Sequence, residues 1–322
     1  MSNTQTPIGI LLLAYGGPDS LDDVEPYLLD IRGGRPTSPE LVEEIRERYA
    51  LIGGRSPLLE ITRQQAQALE THLNRTSDTR FQAYVGMRHW QPRIKEAVAH
   101  MARDGIKQAV ALVMAPHYSQ MSTGAYFKRL DEAIQDLDVN ISFARIKSWH
   151  NQPGLIAALT EKATDALARL AGEGDNTWPK VIFTAHSLPT RILDWGDPYD
   201  AQLRETAGLL AERLNLPPDR WLFCYQSAGR SPEPWLGPQI EQVITELAQA
   251  GEKRLLVVPI GFVCDHVEVL YDIDIESRQL AEAHGARLER SQSLNASHTF
   301  IAALADLVRH DAKLEGSESL TL

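Results

Sequence analysis

Three carboxylates spaced by four, Glu268, Asp272 and Glu276, follow closely on the apolar run Leu255-Leu256-Val257-Val258-Pro259-Ile260. If residues 267–276 are helical, these acids stand at i, i+4 and i+8, spread over an arc of roughly 80° in steps of about 6 Å. Like charges at that spacing destabilise a helix by roughly 0.2–0.5 kcal/mol per pair, so the row calls for a cation or another compensation. Hard divalent cations, which prefer oxygen ligands, are the natural candidate. The plainer reading is a solvated acidic face, and Asp272-Ile273-Asp274-Ile275-Glu276 also alternates as an edge strand would. Tyr15 ends one apolar run and His186 another. Placed around one cleft with the acids, they would supply an oxygen ligand, a titratable imidazole and a carboxylate, a set suited to metal handling coupled to proton transfer. Taken singly, the histidine reads more simply as structural and the tyrosine ring as a core plug.

Such groups are positioned by an alternation of strands and helices. Apolar runs at 8–15, 82–87, 108–115, 141–146, 181–185, 222–225, 255–260 and 286–290 read as strands. Helices are expected at 21–31, 39–51, 58–73, 127–137, 153–170, 198–214, 240–250 and 299–310, with Ser56-Pro57 and Asp197-Pro198 as cap-and-proline openings. Polar residues gather at the C-terminal ends of the strands, where ligands bind in open α/β sheets. The ending Ala185-His186-Ser187-Leu188-Pro189 echoes Met114-Ala115-Pro116-His117. The expected class is therefore α/β, with two parallel sheets related by a pseudo-repeat. Residues 171–177 are turn-rich, and residues 313–322 read as a mobile tail.

Composition narrows the function. With 322 residues, 43% of them hydrophobic, the chain can bury a large core and form two domains. It has no apolar stretch long enough for a membrane span and no leader-like N-terminus, so a cytoplasmic protein without stable membrane insertion is expected. A net charge of -11 argues against nucleic acid and anionic membranes as partners. Cys224 and Cys264 form no CxxC pair, which removes a disulfide framework, a zinc ribbon and an iron–sulfur cluster held by four cysteines of this chain. Cys264, beside Asp265 and His266, reads as a small buried residue rather than a soft metal ligand. Neither G-x-S-x-G nor G-x-G-x-x-G occurs at a strand end, which disfavours serine hydrolases and dinucleotide enzymes.

The segments 13–18 (LAYGGP), 52–58 (IGGRSPL), 185–189 (AHSLP), 196–199 (GDPY) and 261–272 (GFVCDHVEVLYD) together resemble the motif set of ferrochelatases, in order, over residues 8–310. The resemblance implies the chelatase fold: two Rossmann-like domains, here 1–150 and 151–322, with a porphyrin cleft between them and the final helix packing back on the N-terminal domain. It implies insertion of ferrous iron, a substrate, into the macrocycle with release of two protons and no organic cofactor. By the family pattern His186 and Glu268 act as proton acceptor and metal-handling pair. Asp272 and Glu276 match an acidic row for a second divalent cation, on a helix with a π-type widening.

Tyr15 resembles the tyrosine of soluble coproporphyrin III ferrochelatases of Gram-positive type, an axial contact to iron on the face opposite His186 and Glu268. Arg32, Arg48, Tyr49, Ser56 and Tyr126 match the positions that hold the porphyrin, and four propionates demand more such partners than two. The implied protein is a monomer that meets other enzymes of haem synthesis only transiently. The alternatives are a protoporphyrin IX ferrochelatase, a chelatase for another metal or tetrapyrrole, and a haem or metal carrier.

Overall fold

Residues 6–171 and 178–312 are described by the structure, a computed structural model. The turn-rich stretch expected before residue 178 falls mainly outside the described residues, as does the expected tail 313–322. Strands β1 (Ile8–Ala14), β2 (Phe81–Met87), β3 (Gln108–Val113) and β4 (Ser142–Ile146) form one sheet in the order β2-β1-β3-β4. Strands β5 (Lys180–His186), β6 (Trp221–Gln226), β7 (Arg254–Pro259) and β8 (Arg287–Arg290) form a second in the order β6-β5-β7-β8. Every pairing is parallel. Leu11, Leu12 and Leu13 of β1 are all fully buried, and such a run without alternation is what a strand covered on both faces requires.

The matching strand orders correct one expectation. His117 follows β3, whose counterpart in the second sheet is β7, so its echo of His186 is not a positional equivalence. The residue in the place of His186 is Tyr15: it stands two residues beyond Leu13, the last to pair with β3, as His186 stands two beyond Thr184, the last to pair with β7. A short motif carries residue types, whereas the place of a strand in its sheet is set by the crossovers.

One continuous core links the two sheets through helices, running from Ile10, Leu12 and Val110 of the first over Leu69, Leu159 and Phe300 to Phe183, Leu256 and Val258 of the second. Two further clusters cover the outer faces. Helix His298–Ala312 lies against the first half of the chain. Phe300 stacks on Trp149 with ring centroids 6.0 Å apart, and Arg309 donates to Thr76. Helix Ile94–Arg103 has no counterpart among the sequence expectations. It buries Ile94, Ala97, Val98 and Met101 at i, i+3, i+4 and i+7, a stripe diluted in sequence by Lys95, Glu96 and His100. Helices Val24–Ile31 and Pro39–Leu51 make a small separate cluster, with Val24, Leu28, Val42 and Tyr49 buried. Among the described residues no helix is long and apolar enough to cross a membrane.

The two halves are also tied by polar contacts. Asp197 accepts from the Ser119 hydroxyl (3.0 Å) and from the backbone of Gln120 (2.7 Å) and Tyr199 (3.1 Å). This anchors helix Tyr199–Arg213, and the Tyr199 hydroxyl donates to the carbonyl of His186 at 3.0 Å. Cys224 and Cys264 are free and buried, and burial pushes the Cys264 thiol up to about 12, which suits the packing reading.

Candidate active site

Beyond β7 the chain forms a short α-helix, Val267–Leu270, then a π-helical stretch, Asp272–Ser277, then a second α-helix, Arg278–Ala283. The Glu276 N–H reaches back five residues to the Tyr271 carbonyl at 2.9 Å, the bond that defines the wider turn. The edge-strand reading of this stretch is thereby excluded, and the regular helix is corrected to one interrupted by π geometry. A wider turn offsets the steady advance that a uniform α-helix imposes on residues four apart. Glu268, Asp272 and Glu276 accordingly line one cleft of about 490 Å³.

Glu268 sits at its floor. Its Oε2 lies 3.1 Å from His186 Nδ1 and 3.8 Å from His266 Nε2, and Gln226 donates to its backbone carbonyl at 2.7 Å. The His186 and Glu268 side chains are each 32% exposed. Burial works against the ionised carboxylate, but the His186 and His266 imidazoles outweigh it and hold Glu268 far below the usual carboxylate range. For His186, burial opposes the charge, yet the Glu268 carboxylate, with Asp272 beyond it, raises the imidazole above its ordinary value. The pair is thus an anion coupled to an imidazole that accepts a proton readily.

Asp272 is buried further up the ladder. Burial and the charge of Glu268 push it up to about 7, against the lowering influence of Ser227 and Arg48. Ser227 donates to its Oδ2, and Arg48 reaches its Oδ1 at 3.4 Å. Arg48 also donates to Glu44 at 3.1 Å, and Arg230 donates to the same carboxylate at 2.8 Å. Within the row, Arg48 thus compensates Asp272, as the two imidazoles compensate Glu268. Glu241, a fourth carboxylate on the cleft, is raised by burial and by Glu276. Among the described residues no group of three or more His, Cys, Asp or Glu side chains is arranged to hold a metal ion.

Tyr15 lines the cleft from the first half of the chain. It is 41% exposed but sunk between the cleft walls, and this withdrawal from solvent, with the charge of Glu268, lifts its phenol to about 12. Its ring packs against His89, with centroids 4.7 Å apart and the planes inclined at 49°. Gly16, at φ +101°, makes the turn after it; a Cβ there would stand 2.8 Å from Trp90, so this close approach needs glycine.

The remaining candidates divide. Arg48 and Tyr49 line the cleft, and Arg32 stands exposed directly after the lining residue Ile31. Ser56 and Tyr126 do not line it. Ser56 is buried against Gly17 and accepts from Leu58 N–H at 3.3 Å, while Tyr126 is buried under the Arg88 guanidinium, 5.4 Å from its ring centroid. Tyr27, Ser227, Arg230 and Glu241 line the cleft without having been singled out in the sequence. Only the Ser227–Arg230 loop gave a signal, as a polar segment directly after a strand.

Comparison with known proteins agrees with this geometry. The family profile described as Ferrochelatase matches residues 7–312. A ferrochelatase of Deinococcus radiodurans is 45% identical over 308 residues, 96% of this chain and 97% of the relative. A coproporphyrin III ferrochelatase of Oceanobacillus iheyensis is 41% identical over 310 residues, 96% of this chain and 98% of the relative. Among solved structures, SirB from Bacillus subtilis with Fe3+ superposes with a TM-score of 0.59 at 11% identity, covering 97% of this chain and 98% of that one, a likeness of fold. The chain belongs to the ferrochelatase family.

Proposed function

We propose that this chelatase inserts ferrous iron into coproporphyrin III, with His186 and Glu268 as the proton-accepting pair and Tyr15 meeting the opposite face of the macrocycle. The observation that carries the reading is the 3.1 Å contact between His186 Nδ1 and Glu268, on the floor of a cleft that Tyr15 enters from the other half of the chain. A carboxylate oxygen only accepts, so Nδ1 carries the hydrogen and Nε2 holds the lone pair. Nε2 takes a pyrrole proton, and the resulting imidazolium is held by Glu268. Asp272, poised at about 7, is the next carboxylate able to keep a proton near neutral pH. Bending of the flat macrocycle, which exposes its nitrogens, draws on binding energy from its faces and carboxylates.

Arg48 and Tyr49 line the cleft, and Arg32 adjoins it, as partners for propionates. Ser56 and Tyr126 belong to the same proposal as supports behind the lining. Asp272 and Glu276 offer oxygen ligands to a second divalent cation, which would displace Arg48 from Asp272. A monomer working in the cytoplasm, in transient contact with its neighbours in haem synthesis, is the accompanying proposal, tested by sedimentation alone and in mixtures with those enzymes.

The test is anaerobic ferrous iron insertion followed spectrally with coproporphyrin III and protoporphyrin IX at matched solubility. Strong preference for coproporphyrin is expected. Preference for protoporphyrin would overturn the tetracarboxylate reading, and metallation of neither would overturn the assignment as a whole.

A further inference from the structure

The Tyr15 hydroxyl has no hydrogen-bond partner among the described residues, so the direction of its phenol is set by what its ring rests on. That surface is His89. Besides the ring contact at 4.7 Å, the His89 N–H donates to the Tyr15 carbonyl at 2.8 Å. The imidazole is itself fixed from behind. Its Nδ1 lies 2.9 Å from Oδ2 of Asp30, and since that carboxylate only accepts, Nδ1 must carry the hydrogen. The other oxygen of Asp30 is taken by Arg93, at 2.9 Å. Arg93 stands at the N-cap of helix Ile94–Arg103, and its own N–H is held by Glu96 at 2.8 Å.

A line of specific contacts thus runs from the start of one helix, through Arg93, Asp30 and His89, to a cleft-facing phenol that lacks a bond of its own among the described residues. Asp30 belongs to helix Val24–Ile31, which presents Tyr27, Leu28 and Ile31 to the cleft. Its carboxylate therefore couples that helix to the orientation of Tyr15.

We propose that Asp30 is a positioning residue for Tyr15, acting through His89: its carboxylate fixes the tautomer and tilt of the imidazole against which the phenol is set. The inference rests on the reading of Tyr15 as the contact to the iron-bearing face, and it adds a determinant of how firmly that face is held. Loss of the carboxylate frees the imidazole to turn, and the phenol with it. The consequence falls on the grip on the metallated product rather than on proton removal, which belongs to His186 and Glu268 across the cleft.

The experiment is a double-mutant cycle on the full chain with Asp30→Ala and Tyr15→Phe, read as the release rate of the iron–coproporphyrin product to a haem acceptor. Nitrogen NMR of His89 in the ligand-free protein gives a second readout. Groups acting as one unit are non-additive, so Asp30→Ala should change release by roughly fivefold or more in the parent and by less than about twofold in the Tyr15→Phe background. The ligand-free Asp30→Ala protein should lose the fixed Nδ1–H tautomer. Equal effects in both backgrounds, or an unaltered His89 tautomer, would overturn the proposal. If Tyr15→Phe alone leaves release unchanged, the reading of Tyr15 fails instead, a result distinguishable from the first. Should Asp30→Ala not fold, Asp30→Asn serves. It keeps one acceptor oxygen and should give an intermediate, still non-additive change; an additive one overturns the proposal.

Discussion

Tyr15 and His186 occupy the same place in two sheets of the same strand order, and one carboxylate, Glu268, acts on both. Its effect on each is opposite in consequence. The phenol, lifted to about 12 first by burial and then by this charge, is neutral throughout the physiological range. The imidazole is raised above its ordinary value, so its affinity for a proton is increased and its charged form is the one favoured. Equivalent positions in a repeated fold thus carry a phenol and an imidazole, and the same anion favours the protonated form of each. In the proposed function, proton transfer belongs to the second half of the chain and the first half contributes an uncharged oxygen.

The sharpest way to break this comparison is to remove the anion or its partner. His186→Ala and Glu268→Gln should each lower iron insertion by about 10²- to 10⁴-fold, the range of a lost general base, with melting temperature within about 5 °C of the parent. Unfolding of both variants would make the pair structural. In the ligand-free parent the His186 titration, followed by NMR, should have its midpoint above 6.5, so insertion should fall as pH drops through that midpoint. Glu268→Gln should move the midpoint downward, because the opposing effect of burial remains.

A second effect concerns Asp272. Its folded value of about 7 lies above its ordinary 3.8, so protonation favours the folded state. That stabilisation is complete below the ordinary value and is lost as pH rises towards 7. Asp272→Asn has no charge to lose, so its stability relative to the parent should rise between pH 4 and pH 8, on the order of 1–3 kcal/mol by urea unfolding. A constant difference across that range would place the Asp272 charge elsewhere.

Smaller changes are expected on the Tyr15 side and at the rim. Tyr15→Met should alter product release or porphyrin preference by roughly tenfold or less while sparing the insertion step, as separated by single-turnover kinetics. Unchanged release and preference would count against an axial contact. Arg230→Ala removes an exposed ion pair with Glu44 and should cost about 0–1 kcal/mol of stability in thermal unfolding.

The sheets were legible in the sequence because continuous apolar runs such as 8–15 and 255–260 have few alternatives to a buried parallel strand. The acidic row was legible for a similar reason: Glu268, Asp272 and Glu276 are close in the chain, and local periodicity describes them apart from the π turn. Contacts made between distant residues were not. Arg48 meets Asp272 across 224 positions, and nothing in either neighbourhood announces the pairing. Asp30 and His89 each look like ordinary helix or loop polar residues until the fold brings them behind Tyr15. Helix Ile94–Arg103 was missed because four buried side chains suffice when a sheet already offers them a surface.

The continuous core that links the sheets through their helices has a mechanical consequence. Parting the two sheets would open the close-packed contacts of Leu69, Leu159, Phe300 and Leu304, the helical side chains packed between them, so this part of the frame is stiff. Helices Val24–Ile31 and Pro39–Leu51 rest on a much smaller cluster of their own and are the compliant part. A clamp with one rigid jaw and one soft jaw yields on the soft side when a disc is inserted. Under a common load the softer element takes the larger share of the deformation, so entry of a flat ligand should displace these two helices before it displaces the sheets.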